Sequence, residues 1–312
     1  MNTFWRQPGW WGVAAMTASL AMLPGQNEFQ TLTLTPGAPK VAGEVVELSR
    51  ISDYPVLKDS VFPLVVAAQA AMAIDADSGA ILFEKNPNLK LRPASTTKIM
   101  TALVAVDEFD LDEVVTVGEA SRSIGQTADL VAGEQMTVEN LLYALLVNSG
   151  NDAALALANH DAGGYDKFVE RMNEKAAKLH LINTYYRNVS GVEQEGHLTT
   201  VRDLLTLTKE VVRQPTLAKI VATKEITIVS IDGKYQHRLV NLNQLLGRLA
   251  GITGVKTGWT ELAGECLVAS VTRDGRTVLT AILNSPDRFG ETEKLVEWVF
   301  ANYEWKEFGY FR

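Results

Sequence analysis

The chain has 312 residues, 46% of them hydrophobic and 21% charged, enough to build one large domain or two ordinary ones and too apolar for wholesale disorder. Its formal net charge is −8 and it holds no Lys/Arg run, so a nucleic-acid partner has little support and electrostatic docking on anionic lipid is disfavoured. The single cysteine, Cys266, makes an intrachain disulfide impossible, and its setting in Cys-Leu-Val-Ala reads as a small core residue.

Arg6 precedes an apolar stretch from Trp10 to Leu23. That is shorter than the roughly 20 residues a membrane-spanning helix needs. Residues 1–23 therefore read as a secretory signal with Ser19-Leu20-Ala21 as a small-residue cleavage site, or as an N-terminal membrane anchor. Residues 24–64 mix Thr, Pro, Gly and scattered charges without a period and are expected to be a linker with one or two short strands. The compact domain is expected over 65–312.

Val65 to Phe83 predicts two strands joined at Asp77-Ser78-Gly79. Pro93-Ala94-Ser95 opens a helical run to about Val106, with proline near the start as a helix prefers. Thr137 is expected to cap a helix to Val147, and Asp152 to open an Ala-rich helix to about Asn159. Tyr165 to Leu181 has helical periodicity, placing Phe168, Met172 and Ala176 on one face. Thr200-Val-Arg-Asp203 resembles a capping box, with Asp in place of Glu, before a helix over Leu204–Val212. Strands follow over Glu225–Ile231 and Lys234–Val240, then over Glu265–Thr272 and Thr277–Leu283, each pair meeting at Asp-Gly. A last helix runs from about Glu291 to Tyr303. Strands at both ends thus bracket a helical middle, an α/β (α+β) arrangement with an antiparallel sheet and a helical cluster.

Three short constellations carry chemistry. In Ser95-Thr96-Thr97-Lys98 a helix would place the Lys98 amine beside the Ser95 hydroxyl, since residues three apart share a face. Serine is a poor nucleophile without an adjacent base, and lysine serves as that base only when burial or a neighbouring cation keeps it uncharged. Ser-x-x-Lys alone arises by chance about once in a chain of this size. Yet Ile99, Met100, Ala102, Leu103 and Val104 surround Lys98 and argue for a helix buried nearly all round rather than a solvated face.

Ser149-Gly150-Asn151 falls between two helices, where it either presents a hydroxyl and an amide to a cleft or simply supplies a C-cap and an N-cap through Gly150 and Asn151. Lys256-Thr257-Gly258, followed by Trp259, sits in a strand-like stretch. Lys and Thr there would hold a carboxylate, and Gly258 would let a substrate backbone lie close. The bland alternative is a hairpin edge with a solubilising lysine.

The three occur in this order, the second and third starting 54 and 161 residues after Ser95. That set, with a Ser-x-Asn middle member, is the signature of penicillin-binding proteins and class A β-lactamases. The chain resembles the D-alanyl-D-alanine carboxypeptidases, the low-molecular-weight penicillin-binding proteins, from about Ala67 to Tyr303. Ser149-Gly-Asn-Asp-Ala-Ala154, Phe168-Val-Glu-Arg-Met-Asn173, His197-Leu-Thr-Thr200 and Asn241-Leu-Asn243 carry the resemblance alongside the three motifs.

The resemblance implies a β-lactamase/transpeptidase-like fold and, as substrate, the peptidoglycan stem peptide with a D-Ala-D-Ala terminus. It implies Ser95 as nucleophile, Lys98 as base, Ser149 as proton relay and Asn151 as a ligand of the substrate backbone that also orients Lys98. Lys256 and Thr257 would bind the terminal carboxylate, and the backbone N–H groups of Ser95 and Trp259 would form the oxyanion hole. β-Lactams would be covalent inhibitors. No metal or organic cofactor is implied, and His160, His180, His197 and His237 form no ligand pattern. A β-lactamase, a peptidoglycan endopeptidase or a catalytically idle wall-binding module on the same scaffold are the rival readings. The segment after Ser149 lacks the Glu-x-x-Leu-Asn pattern of class A β-lactamases, which weakens the first of these. The chain stops soon after its last helix, so the β-rich second domain and C-terminal anchor of many family members are not expected. Membrane attachment would then come from the N-terminus.

Overall fold

The computed structural model describes residues 53–119 and 125–307, so the expected signal or anchor and most of the expected linker lie outside the described residues. In chain order the elements are β1 (Tyr54–Leu57), β2 (Ala70–Asp75), β3 (Ile81–Lys85), a 3₁₀ turn (Ala94–Thr97), α1 (Lys98–Glu108), β4 (Val114–Thr116) and β5 (Gln135–Thr137). Then come α2 (Val138–Leu146), α3 (Asn151–His160), α4 (Gly164–Lys178), α5 (Val201–Arg213) and α6 (Pro215–Ala222). The chain closes with β6 (Glu225–Val229), β7 (Gln236–Val240), β8 (Ile252–Thr260), β9 (Gly264–Arg273), β10 (Arg276–Ser285), α7 (Arg288–Asn302) and β11 (Tyr303–Lys306).

A five-stranded antiparallel sheet in the order β3-β2-β10-β9-β8 divides the molecule. Successive side chains on a strand point to opposite faces, and both faces here are covered. Ala70, Met72 and Ile74 of β2 join Leu279, Ala281 and Leu283 of β10 in the core shared with the helical cluster. Ala71, Ala73, Val278 and Ile282 point the other way, onto Leu295 and Val299 of α7. α1 runs through the helical cluster, with every residue from Lys98 to Ala105 buried. A helix apolar on all sides has no stable place except inside.

Local signals set most boundaries. The Thr137 hydroxyl accepts from Asn140 N at 3.1 Å and caps α2. The Thr200 hydroxyl accepts from Asp203 N at 3.1 Å and starts α5, but the capping box is only half made. The Asp203 carboxylate accepts instead from Asn183 N and the Thr184 hydroxyl, tying a loop to the helix.

Among the described residues, part of the stretch expected as linker is built into the body: β1 pairs with β11 near the other end of the chain, Tyr54 opposite Lys306. Lys58 N donates to Asn302 O and Trp298 Nε1 donates to Phe62 O, so this stretch packs on α7 rather than linking. Among the described residues no helix is long and apolar enough to cross a membrane.

Candidate active site

Ser95 sits in a tight turn at the head of α1. The Thr96 hydroxyl donates to Pro93 O at 2.7 Å and the Thr97 hydroxyl to Ala94 O at 2.8 Å, while Ala94 holds the left-handed φ of 47°. One turn on, Lys98 opens α1, and its Nζ lies 3.0 Å from Ser95 Oγ and donates to Ser190 O at 2.8 Å. Lys98 is 0% exposed. Burial holds its amine well below the ordinary lysine pKa, the charge of Lys256 pushes it lower, and Asp152 acts in the opposite sense.

β8 forms the opposite wall. Lys256 is 2% exposed, donates to Thr257 O at 3.1 Å, and is lowered to about 7 by burial and then by the Arg288 charge. Lys256 and Lys98 both lie behind the cleft surface, whereas Ser95, Ser149, Asn151, Thr257, Gly258 and Trp259 line one cleft of about 540 Å³. All eight expected site residues thus converge on one place. Trp259 is 61% exposed at the rim.

Gly258 lines the cleft and also makes a close backbone approach of its own. A Cβ there would meet Ser95 N at 3.0 Å and Ala94 Cβ and Pro93 O at 3.1 Å, so the glycine lets β8 press against the turn of Ser95. One alternative needs correction: Gly150 does not provide a helix C-cap. Ser149 takes the left-handed conformation, φ 62°, and Gly150 is the N-cap of α3, where a Cβ would strike Asp152 Oδ1 at 2.6 Å.

Four site contributors carry no signal in the motifs. Arg288, the first residue of α7, lines the cleft and donates from Nη1 to Gly258 O at 2.8 Å. Its buried Nε finds no acceptor among the described residues. The Asp152 carboxylate accepts from Ala128 N, Leu130 N and Ala153 N, pinning the loop that roofs the cleft. Ser190 supplies the carbonyl against Lys98. His197 lies 2.8 Å through Nε2 from the Thr97 hydroxyl and accepts at Nδ1 from Arg187 N at 3.2 Å. Arg288 follows Gly258 by 30 residues, so no spacing rule reaches it. Asp152 and His197 fall within the segments that carry the family resemblance, but neither the motifs nor their spacing gave either one a role.

An antiparallel sheet with a Ser–Lys pair at the head of a buried helix, faced by Lys-Thr-Gly on the edge strand, defines the transpeptidase-like class of serine acyl-transfer folds. Residues 58–287 match the D-alanyl-D-alanine carboxypeptidase family of peptidase S11. The chain belongs to that family. It is 34% identical over 247 residues to D-alanyl-D-alanine carboxypeptidase DacF of Bacillus subtilis, covering 76% of this chain and 63% of that one. It is 36% identical over 258 residues to DacC of Escherichia coli, covering 77% and 62%. The chain therefore spans under two thirds of the length of these two relatives. Against DacB2 of Mycobacterium tuberculosis it is 34% identical, covering 75% of this chain and 82% of that one. The crystal structure of the Streptomyces K15 DD-transpeptidase superposes with a TM-score of 0.73 at 32% identity, over 77% of this chain and 100% of that one.

Proposed function

We propose that this chain is a serine-type D-Ala-D-Ala carboxypeptidase that trims peptidoglycan stem peptides through an acyl-enzyme. The observation that carries the reading is the 3.0 Å approach of a fully buried lysine amine, held by burial well below its ordinary pKa, to a serine hydroxyl that opens on a cleft. Ser95 Oγ attacks the carbonyl carbon between the two D-alanines as its proton passes to Lys98 Nζ. The C–N bond then breaks, and the departing D-alanine amine takes a proton relayed through Ser149. Water hydrolyses the Ser95 ester and restores the hydroxyl. Asn151 contacts the substrate backbone. The Ser95 N–H, against which Gly258 packs, and the Trp259 N–H hold the oxyanion, typically ~3 kcal/mol per donor.

The terminal carboxylate meets Thr257 and the Arg288 guanidinium, whose planar fork of donors matches a carboxylate. Lys256, lowered to about 7, adds to that field, and its charge pushes the Lys98 amine further down. The reading places the enzyme outside the cytoplasm, with the N-terminal segment as signal or anchor, and makes β-lactams covalent inhibitors of Ser95.

The test is labelling with a fluorescent penicillin alongside D-alanine release from a D-Ala-D-Ala tripeptide. Ser95→Ala is expected to lose both while keeping its melting temperature, and persisting label on that variant would refute the assignment. The full coverage of the Streptomyces DD-transpeptidase supports a second fate for the acyl-enzyme, capture by an amine. Adding an amino-acid acceptor and looking for the exchanged peptide separates the two.

A further inference from the structure

A neutral amine has two N–H bonds and one lone pair in fixed tetrahedral directions. For Lys98 to take a proton from Ser95, the lone pair must face Oγ. The Ser190 carbonyl, accepting one N–H at 2.8 Å, is what sets the rotation of that amine. The loop bearing Ser190 therefore matters as much as Lys98's own helix.

That carbonyl belongs to the planar peptide unit joining Ser190 to Gly191, in which C=O and N–H point in opposite directions. The Asn188 side-chain oxygen accepts from Gly191 N at 2.8 Å and from Ser190 N at 3.2 Å. Its amide nitrogen donates to Val192 O at 2.9 Å and to Gln194 Oε1 at 3.1 Å. Asn188 thus grips the N–H side of the same peptide plane whose C=O side faces Lys98. Asn188 is only 8% exposed. Two further contacts press the loop onto the nucleophile's turn. The Thr101 hydroxyl of α1 donates to Val189 O at 2.6 Å, and Gly191 approaches so closely that a Cβ would fall 1.8 Å from Ala94 O.

We infer that Asn188 is a positioning residue for acylation: by orienting the Ser190–Gly191 peptide it aims the Lys98 lone pair at Ser95. The inference rests on the acyl-enzyme reading above, and one experiment keeps their failures apart. The rate constant and the final stoichiometry of labelling by a fluorescent penicillin are measured on the full chain, with melting temperatures, for the unaltered protein and three variants. Asn188→Leu removes every bond of the side chain and is expected to acylate about 100-fold more slowly, yet to reach full stoichiometry, as expected for an error of about an ångström at the reacting atoms. Asn188→Asp keeps the acceptor toward Gly191 N and is expected to stay within about tenfold of the unaltered rate. Should Asn188→Leu not fold, Asn188→Ser, whose hydroxyl falls short of Gly191, is expected to be at least about tenfold slow. A merely structural role would lower the stoichiometry and leave the rate of the folded fraction unchanged. That result, or equal slowing by the Leu and Asp variants, overturns the inference. Absence of label at Ser95 in the unaltered protein would instead overturn the acyl-enzyme reading.

Discussion

Around Ser95, single side chains act through hydrogen bonds that reach the turn from outside the three motifs. His197 accepts at Nδ1 from a backbone N–H, so its proton resides on Nε2 and is donated to the Thr97 hydroxyl, which donates in turn to Ala94 O. Burial, then the Arg187 charge, lowers this histidine to about 4. The native ring therefore stays neutral where the unfolded chain takes up a proton. Stability is at full value above about pH 6.5 and falls as the pH drops from there to about 4, by roughly 3 kcal/mol. Urea melts at pH 7 and pH 4.5 check this, and His197→Gln is expected to flatten the difference. For Gly258→Ala, the new methyl would press on backbone at 3.0 Å, and acylation is expected to slow at least about tenfold with little change in melting temperature. Equal acylation rates would dismiss the close-approach role. Ser95 and Lys98 were legible because one helical turn dictates their meeting. Arg288 was not, because only the tertiary fold brings the head of the last helix under the edge strand.

At the scale of elements, long periodic helices were read to within a few residues. α4 buries Phe168, Met172 and Ala176 as its spacing predicts. α6 escaped notice: it has eight residues, starts on Pro215, and buries only Leu217, Ile220 and Val221, too short a run for a period to stand out. β1 and β11 have four residues each and exist through their mutual pairing, which local sequence does not encode. The sheet and α7 carry a defect of their own. The Thr280 and Thr292 hydroxyls are buried with no hydrogen-bond partner among the described residues. An unsatisfied buried hydroxyl costs about 1–3 kcal/mol, and valine matches threonine in shape. Thr292→Val is thus expected to gain about 1 kcal/mol, read as a rise of roughly 2–4 °C in melting temperature with unchanged acylation. A loss of stability would point to a hydrogen bond the hydroxyl does make.

For the whole molecule, fold class followed from the order of strands, helices and strands, and family from the conjunction of motifs. The docking of Lys58 and Phe62 on α7 did not, because irregular, Pro-rich sequence looks the same whether it is free or laid along a helix. A chain beginning at Val65 loses β1, the Asp53–Arg276 ion pair and the bond from Trp298 to Phe62, and is expected to melt several degrees below one beginning at Asp53. Matching melts would show that the segment contributes nothing.

The central sheet separates two kinds of work. On one side lie the helical cluster and the turn of Ser95; on the other, Ala71, Ala73, Val278 and Ile282 meet α7. Substitutions beneath α7 are therefore expected to change how firmly the body holds together without reaching the turn of Ser95. Arg288 is the exception, since it begins α7 yet faces the cleft. On the activity proposed above, a lineage carrying this scaffold is expected to gain robustness on its back while its front changes, so long as the Arg288 guanidinium keeps its hold on the Gly258 carbonyl.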